Sequence, residues 1–179
     1  MESMKEFTHF WHGPLSQWEE SLFTLDGVDY NCAEQYMMAA KARLFGDEQT
    51  LDMIMDSESP REQKKLGRVV DGFDDDVWQE DESNGFPRCW NIVWRGNMAK
   101  FSQHPWLLAN LRATKGATLV EASPRDCIWG IGLRAGDPRA HDRGSWRGLN
   151  WLGEVLTNVR SHLTADSTPY LLTTDPRQA

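Results

Sequence analysis

The segment that most constrains this chain is residues 118–133, which contains a strand pattern, a turn and a glycine-containing apolar run. Alternation predicts a short strand over Thr118–Ala122, with Leu119 and Glu121 on one face and the other residues on the opposite face. Ser123-Pro124-Arg125-Asp126 is typical turn chemistry. The second apolar run, Ile128–Leu133, then predicts a hairpin in which Gly130 and Gly132 leave backbone open to a close approach.

Two carboxylates, Glu121 and Asp126, bracket the predicted turn beside Trp129. Spacing alone favours the simpler interpretation, a hairpin with solvated acids, because acidic residues are common at protein surfaces. The other candidate residues decide whether these acids do chemistry.

Length and charge limit the class of protein. A chain of 179 residues that is 40% hydrophobic can bury one core and is expected to form one domain. The net charge of -8 argues against a non-specific nucleic-acid binder, although it permits a specific pocket for one nucleotide. Three cysteines without a CxxC pair indicate free thiols in a reducing compartment. With no signal-peptide pattern and no membrane-length apolar run, we expect a cytoplasmic protein.

The clearest predicted helix covers residues 32–45. Asn31 is a plausible N-cap with Glu34 at the capping-box position, and Gly46 ends the helix. Glu34 and Lys41 lie on one face with two apolar residues, so this face should turn inward. Taken singly, a capping role for Glu34 and a solvated surface position for Lys41 are the simpler interpretations.

The other segments predict an α+β fold, a single compact and mainly helical domain with a small β-sheet. Asp26-Gly27 between alternating apolar residues predicts a hairpin over residues 23–30. The remaining predicted helices cover residues 47–57, a short helix starting at Ser59-Pro60, 90–103, 105–113 and 149–163. The predicted loops are residues 10–18, an acidic loop at 71–82 and a lid-like loop at 137–148. We expect the domain to span residues 1–163 and residues 164–179 to be a flexible tail.

The common catalytic motifs are absent from the sequence. It contains no GxGxxG, Walker A, HExxH or GxSxG pattern, and its five histidines lack metal-ligand spacing. We therefore expect neither a metal nor a cofactor, and any chemistry should rest on carboxylates, a lysine and aromatic side chains. Lys64, Lys65 and Arg68 could hold a phosphate, although a solvated basic face is the simpler interpretation.

Four sequence blocks, in this order, are more specific to one protein family than any single motif in the chain: FTLDGVDYNCAEQYMMAAKA, SPREQKKLGR, MAKFSQHPWLLANLRATKGATLVEASPRDCIWGIGL and GLNWLGEVLTNVRSHL. Together they resemble the NADAR family of YbiA-like proteins over roughly residues 15 to 163. The resemblance implies a compact helical α+β domain that hydrolyses N-glycosidic bonds. Its implied substrates are ribosylamino-pyrimidine intermediates of riboflavin synthesis, or ADP-ribose on the amino group of guanine in nucleic acid.

The chain departs from the family pattern at three places. Gln17 and Trp18 stand where Asn and Phe are usual, and Trp90-Asn91 replaces Trp-Asp. The acidic loop before Trp90 is also enlarged. We expect these changes to alter the edges of the pocket and the access of substrate to it.

The resemblance implies roles for nine residues by position. Glu34, Lys41, Glu121 and Asp126 are the candidate catalytic residues, and Trp90, Trp129, Gly130, Arg68 and Asn150 are the candidate substrate-binding residues. One carboxylate would stabilise the oxocarbenium-like sugar while a second carboxyl protonates the leaving group. Lys41 would pair with phosphate or attack the anomeric carbon as a nucleophile.

Two other function classes remain open from the sequence. A module that binds ADP-ribose or NAD without hydrolysis predicts the same pocket but no product. A scaffold protein predicts that the acids lie on solvated surface. No membrane partner is expected.

Overall fold

The structure, a computed structural model, describes residues 6–164. The tail predicted for residues 164–179 lies outside this part of the chain, apart from Thr164, which ends the last helix.

The described residues form helices around two small β-ribbons. The strands are β1 (Phe7–Phe10), β2 (Phe23–Leu25), β3 (Val28–Tyr30) and β4 (Thr118–Glu121). The α-helices are α1 (Ala33–Phe45), α2 (Glu48–Asp56), α3 (Pro60–Gly67), α4 (Asp75–Trp78), α5 (Arg88–Gln103), α6 (Pro105–Ala113) and α7 (Trp151–Thr164). Two short 3₁₀ turns, Pro138–His141 and Arg143–Ser145, lie in the loop before α7. The predicted mainly helical α+β fold is confirmed, except that the strands pair as two separate ribbons.

The ends of the helices follow local capping chemistry. Ser59 caps α3 as predicted, its side chain accepting from the backbone of Glu62. Gly46 ends α1 in the left-handed conformation, at φ 71°. The predicted N-cap of α1 is wrong: Cys32 caps the helix, while the Asn31 side chain donates to the carbonyl of Ser57.

The β2–β3 hairpin confirms the prediction from Asp26-Gly27. Both turn residues have positive φ, 54° and 77°, which matches the twist of a two-residue hairpin. Phe23 pairs with Tyr30 at its far end, and both are buried in the main core.

The strand β4 pairs in parallel with β1, so that Phe10 lies opposite Glu121. The strand β1 was not predicted, because its four residues carry no clear alternation between flanking polar and aromatic residues. The predicted second strand of a hairpin over residues 128–133 is wrong, since these residues form bends and pair with none of the strands β1–β4. Their backbone bonds partly to the segment before α7: the backbone N–H of Arg147 donates to Ile131 O, and that of Asn150 donates to Gly130 O.

The strand β4 separates two apolar clusters. Leu119 belongs to the main core with α5 and α7, whereas Val120 belongs to a small cluster with Ile131, Leu133 and Ala140. Helix α7 lies directly on the strand, because a Cβ at Gly153 would come 2.1 Å from the Leu119 carbonyl oxygen. Successive side chains of β4 therefore point to opposite faces, as predicted, and both faces are buried.

The acidic segment, residues 71–82, differs from the predicted exposed loop because part of it is helical and packs on the core. It contains α4, capped by Asp74, and Trp78 is 7% exposed in the main core. No helix within residues 6–164 is both long and apolar enough to cross a membrane.

Candidate active site

Glu121 is held at the end of β4 by the side chain of Asn150. The Asn150 Oδ1 accepts from the backbone of Glu121 at 2.9 Å, and its Nδ2 donates to Leu119 O at 2.9 Å. Asn150 is 1% exposed and has a left-handed backbone, φ 58°. Since both ends of the amide bond to the strand, Asn150 positions Glu121, which differs from the predicted contact with substrate.

Asp126 organises the turn that follows β4. Its Oδ1 accepts from the backbones of Ile128 at 3.0 Å and Trp129 at 2.8 Å. Its Oδ2 lies 3.6 Å from the Nζ of Lys64 on α3. This carboxylate therefore has two backbone amide donors and the ammonium of Lys64 near it.

Gly130 allows this turn to fold back onto the strand. A Cβ there would come within 3.0 Å of the Glu121 carbonyl oxygen and 2.9 Å of the Ser123 Cβ. The carbonyl of Gly130 accepts from the Asn150 backbone. The close approach predicted for Gly130 is thus made by the chain itself.

Glu34 enters the same site from the first turn of α1. It is 4% exposed, and its backbone donates to Gln17 O at 3.1 Å. The neighbouring Trp18 side chain hydrogen-bonds the Glu34 carboxyl. The loop at residues 16–18 therefore closes one side of the acid site with an indole that is 41% exposed.

Electrostatics show that Glu34, Glu121, Asp126 and Lys64 form one group, called here the acid cluster. Burial raises the pKa of Glu34; Lys64 and Arg68 oppose this shift, and Asp126 adds to it. Burial, and next the charge of Asp126, raises the pKa of Glu121 to about 8. Four separate segments thus bring their charges to one place: α1, α3, the end of β4 and the turn after it.

Glu121 is the unusual member of the acid cluster. Its Oε2 is buried without a hydrogen-bond partner. With a pKa of about 8 the carboxyl holds its proton at neutral pH. A carboxyl that still holds its proton at neutral pH can act as a general acid.

Lys41 lies outside the acid cluster, contrary to the predicted arrangement. Its Nζ donates to Gly67 O at 2.7 Å and lies 3.7 Å from the centre of the Phe73 ring. Burial lowers its pKa, and the charge that opposes this shift is Asp75, in the acidic segment. Lys41 therefore fastens the carboxyl end of α3 and the acidic segment to α1.

Lys64 supplies the ammonium that sequence reasoning assigned to Lys41. Lys64 stands three residues before Gly67, so both lie on one face of α3, but the spacing alone does not indicate that this face meets α1. Gly67 packs on Met38 of α1, where a Cβ would meet the sulfur. A tightly packed glycine at this spacing marks the α1-facing side of α3.

The predicted aromatic and basic contacts are divided between two places. Trp129 follows Asp126 and packs edge-to-face against Trp151, with ring centres 5.8 Å apart. Arg68 is exposed at the end of α3 and acts on the charge of Glu34. Trp90 instead stacks under Phe86 at 4.2 Å and lines a separate cavity.

The described part of the chain, residues 6–164, contains no group of three or more His, Cys, Asp or Glu side chains that could hold a metal ion.

A family model of the NADAR domain matches residues 4–164. The chain belongs to the NADAR domain family. It is 41% identical over 151 residues to N-glycosidase R617 of Acanthamoeba polyphaga mimivirus, covering 82% of this chain and 85% of that protein. It is 34% identical over 142 residues to the chloroplastic riboflavin biosynthesis protein PYRR of Zea mays, covering 77% of this chain and 20% of that protein.

The fold of this NADAR chain is similar to the NMR structure of E. coli YbiA. The TM-score is 0.70 at 27% identity, covering 90% of this chain and 87% of that one. YbiA is also named an N-glycosidase. These similarities support the predicted class of enzyme, a hydrolase that acts on N-glycosyl bonds.

Proposed function

We propose that this chain hydrolyses the N-glycosidic bond between a ribose and the amino nitrogen of a nucleobase. The first candidate substrate is ADP-ribose attached to the amino group of guanine, in a nucleotide or a nucleic acid. The observation that carries the proposal is the acid cluster, in which Glu121, with a pKa of about 8, lies close to Asp126, and the Asp126 carboxyl lies 3.6 Å from the Lys64 ammonium.

The proposed chemistry assigns the proton to Glu121. As the bond to C1 breaks, the leaving nitrogen takes the Glu121 proton and the sugar gains oxocarbenium character. Asp126, which is partly exposed, and Glu34, which is buried, lie in the same cluster and stabilise this positive charge. The Glu121 carboxylate left behind then accepts a proton from the water that attacks C1, which restores the acid.

Lys64 offers a second route to the same products, in place of Lys41. In this route the Lys64 ammonium first gives a proton to Asp126, and the resulting amine attacks C1 while the leaving nitrogen takes the proton of Glu121. The new amine on C1 returns a proton to Glu121, the ring oxygen takes the proton of Asp126 as the ribose opens, and the Schiff base that forms is hydrolysed by water to release the sugar and the Lys64 ammonium. Borohydride added during turnover reduces a Schiff base, so a stable sugar adduct on Lys64, found by peptide mass spectrometry, is the expected result of this route.

The residues around the acid cluster suit a substrate that carries phosphate groups. Arg68 is exposed at the end of α3 and close enough to Glu34 to affect its pKa, so we assign it to the pyrophosphate. Trp129 and Trp18 offer indole faces beside the acids for a base or a sugar.

A ribosylamino-pyrimidine is the second candidate substrate. The 34% identity to a riboflavin biosynthesis protein favours it. The net charge of -8 also favours a small molecule over extended duplex DNA.

One assay separates these possibilities. The protein is incubated with ADP-ribosylated guanosine and, separately, with the ribosylamino-pyrimidine phosphate, and the products are identified by mass spectrometry. Release of free base from one substrate by the native chain, and its loss in Glu121→Gln, is expected. Tight binding without release would identify a binding module, and neither binding nor release would overturn the proposal.

A further inference from the structure

A second cavity, remote from the acid cluster, lies between the loop that precedes α5, the first half of α5 and the last turns of α7. Its volume is about 390 Å³, within the range of small-molecule sites. Asn150 at the start of α7 contacts Glu121, whereas Asn158 of the same helix lines this cavity. Eight residues of helix separate the two positions by roughly 12 Å. The cavity is called here the aromatic cavity.

One wall of the aromatic cavity is a ready stacking surface. Phe86 lies over Trp90 with ring centres 4.2 Å apart and planes inclined by 14°. Trp90 is 5% exposed and Phe86 is 41% exposed, so Phe86 keeps exposed ring surface against a buried support. Trp94 adds a third ring whose indole N–H is held by Asn158 Oδ1 at 2.7 Å. Such faces stack on any planar base.

The loop that carries Phe86 is held in place before any ligand arrives. The Asn91 Nδ2 donates to the side chains of Glu82 and Asn84 and to the carbonyl of Phe86. Arg88 bonds to Glu80 at 2.6 Å. A wall ordered in advance reduces the entropy lost on binding. These bonds also explain why a large apolar side chain stays at the mouth of the cavity.

The polar rim of the aromatic cavity carries groups of both signs. Glu82 can accept hydrogen bonds at one side, and Arg95 can donate at another while its Nη2 holds Asp26 at 3.1 Å. A ligand with donors and acceptors on the edge of a flat ring meets both kinds of group.

We propose that the aromatic cavity is a second binding site, for an unmodified nucleobase, distinct from the acid cluster. The base can come from a free nucleoside or nucleotide, or from a neighbouring residue of a substrate strand. Binding at this site does not depend on hydrolysis. If no nucleobase binds in the aromatic cavity, the proposed glycosidase activity is unaffected. If the chain hydrolyses no N-glycosidic bond, the proposed binding site is likewise unaffected.

Nuclear magnetic resonance of the ¹⁵N-labelled protein tests the proposal with the four common nucleosides, their monophosphates and short single-stranded oligonucleotides. We expect saturable shifts at the indole N–H of Trp90 and Trp94 and at the side-chain amide of Asn91. Any shift of the Trp129 indole N–H reports on the acid cluster, and it should saturate at nucleoside concentrations different from those that saturate the Trp90 and Trp94 shifts. Equal affinity for nucleoside and oligonucleotide would identify a free nucleotide as the ligand, and tighter oligonucleotide binding would identify a strand.

Two variants sharpen this test. Phe86→Ala removes one stacking face and should weaken binding about tenfold. Trp106→Ala is the matched control, because Trp106 is an exposed aromatic, 49%, on α6 and away from the cavity. Circular dichroism verifies that both variants are folded. Shifts confined to other tryptophans, or no saturable shift in the native protein, would overturn the proposal whatever the variants do.

Discussion

At the scale of single residues, the proton on Glu121 is expected to support both the activity and the stability of the folded chain. Burial raises the pKa of Glu121 from an ordinary 4.5 to about 8, so the folded state keeps a proton that the unfolded chain releases. The contribution of this group to the free energy of unfolding is therefore largest below pH 4.5 and declines as the pH rises towards 8, at up to about 1.4 kcal/mol per pH unit.

Glu121→Gln should remove this decline, because the amide does not titrate. At pH 8 the variant should need more urea to unfold than the native chain, whereas at pH 4.5 the two should be similar. Its kcat should fall by at least about 100-fold, and native activity should fall as the pH rises through about 8. Parallel urea curves at pH 5 and 8 check this, and an unchanged stability difference between the two would contradict the burial argument.

Lys64 and Lys65 form a natural pair for a residue-scale comparison. Lys64 lies 3.6 Å from Asp126, whereas Lys65 bonds to Glu62 at 2.9 Å on the exposed side of α3. Lys64→Met should lower kcat by roughly 100-fold or more, because the carboxylates lose their counter-charge. Lys65→Met should leave kcat within about twofold, since an exposed ion pair contributes little. Steady-state kinetics decide, and equal effects of the two changes would remove Lys64 from the mechanism.

At the scale of elements, Asn150 couples α7 to β4. Asn150→Ala loses two buried hydrogen bonds and places alanine at a positive φ, so we expect a loss of about 2–4 kcal/mol in unfolding free energy. Asn150→Gly adopts the positive φ without strain, so its effect reports only the loss of the two hydrogen bonds of the side-chain amide. Both variants should lower kcat more than they raise KM, because Glu121 loses its position. Native stability in both variants would show that the amide does not hold the strand.

Lys41 belongs to the same scale, since it connects α1 with the end of α3 and the acidic segment. Lys41→Met should lower the unfolding free energy by about 1–2 kcal/mol through the lost bond to Gly67. Its kcat should fall by less than about tenfold, because its ammonium lies on the Gly67 carbonyl. Lys41→Arg is the control that keeps the charge. A Lys41→Met enzyme that is stable but inactive would contradict this structural role and show that Lys41 takes part in catalysis.

At the scale of the whole molecule, the net charge of -8 bears on the size of the substrate. An acidic protein releases few counterions from DNA, so extended duplex should add little affinity. With ADP-ribosylated guanine presented in a nucleoside, a short single strand and a long duplex, kcat/KM should not rise with length. It should also vary only weakly between 50 and 200 mM salt, which are ordinary assay conditions. A steep salt dependence would indicate a basic path along the chain that the net charge conceals.

The sequence predicted the elements whose signals are local. Ser59-Pro60 and Gly46 mark helix ends, and Asp26-Gly27 marks a hairpin, because each depends on a few neighbouring dihedral angles and hydrogen bonds. It failed at β1, which is a strand because β4 pairs with it from more than a hundred residues away. It also failed at residues 128–133, whose backbone partners lie partly in the segment before α7.

The amino-acid sequence by itself determined the mainly helical α+β class, and its resemblance to the NADAR family implied three members of the acid cluster, Glu34, Glu121 and Asp126. It could not determine which lysine joins them, because Lys41 and Lys64 each lie on the buried face of a helix. The packing of Gly67 against Met38 decides this: it brings α3 close to α1, so that Lys64 reaches Asp126 and Lys41 ends on a backbone carbonyl. Helical spacing determines the direction in which a side chain leaves the helix axis. The group that this side chain contacts depends on how the helices pack against one another.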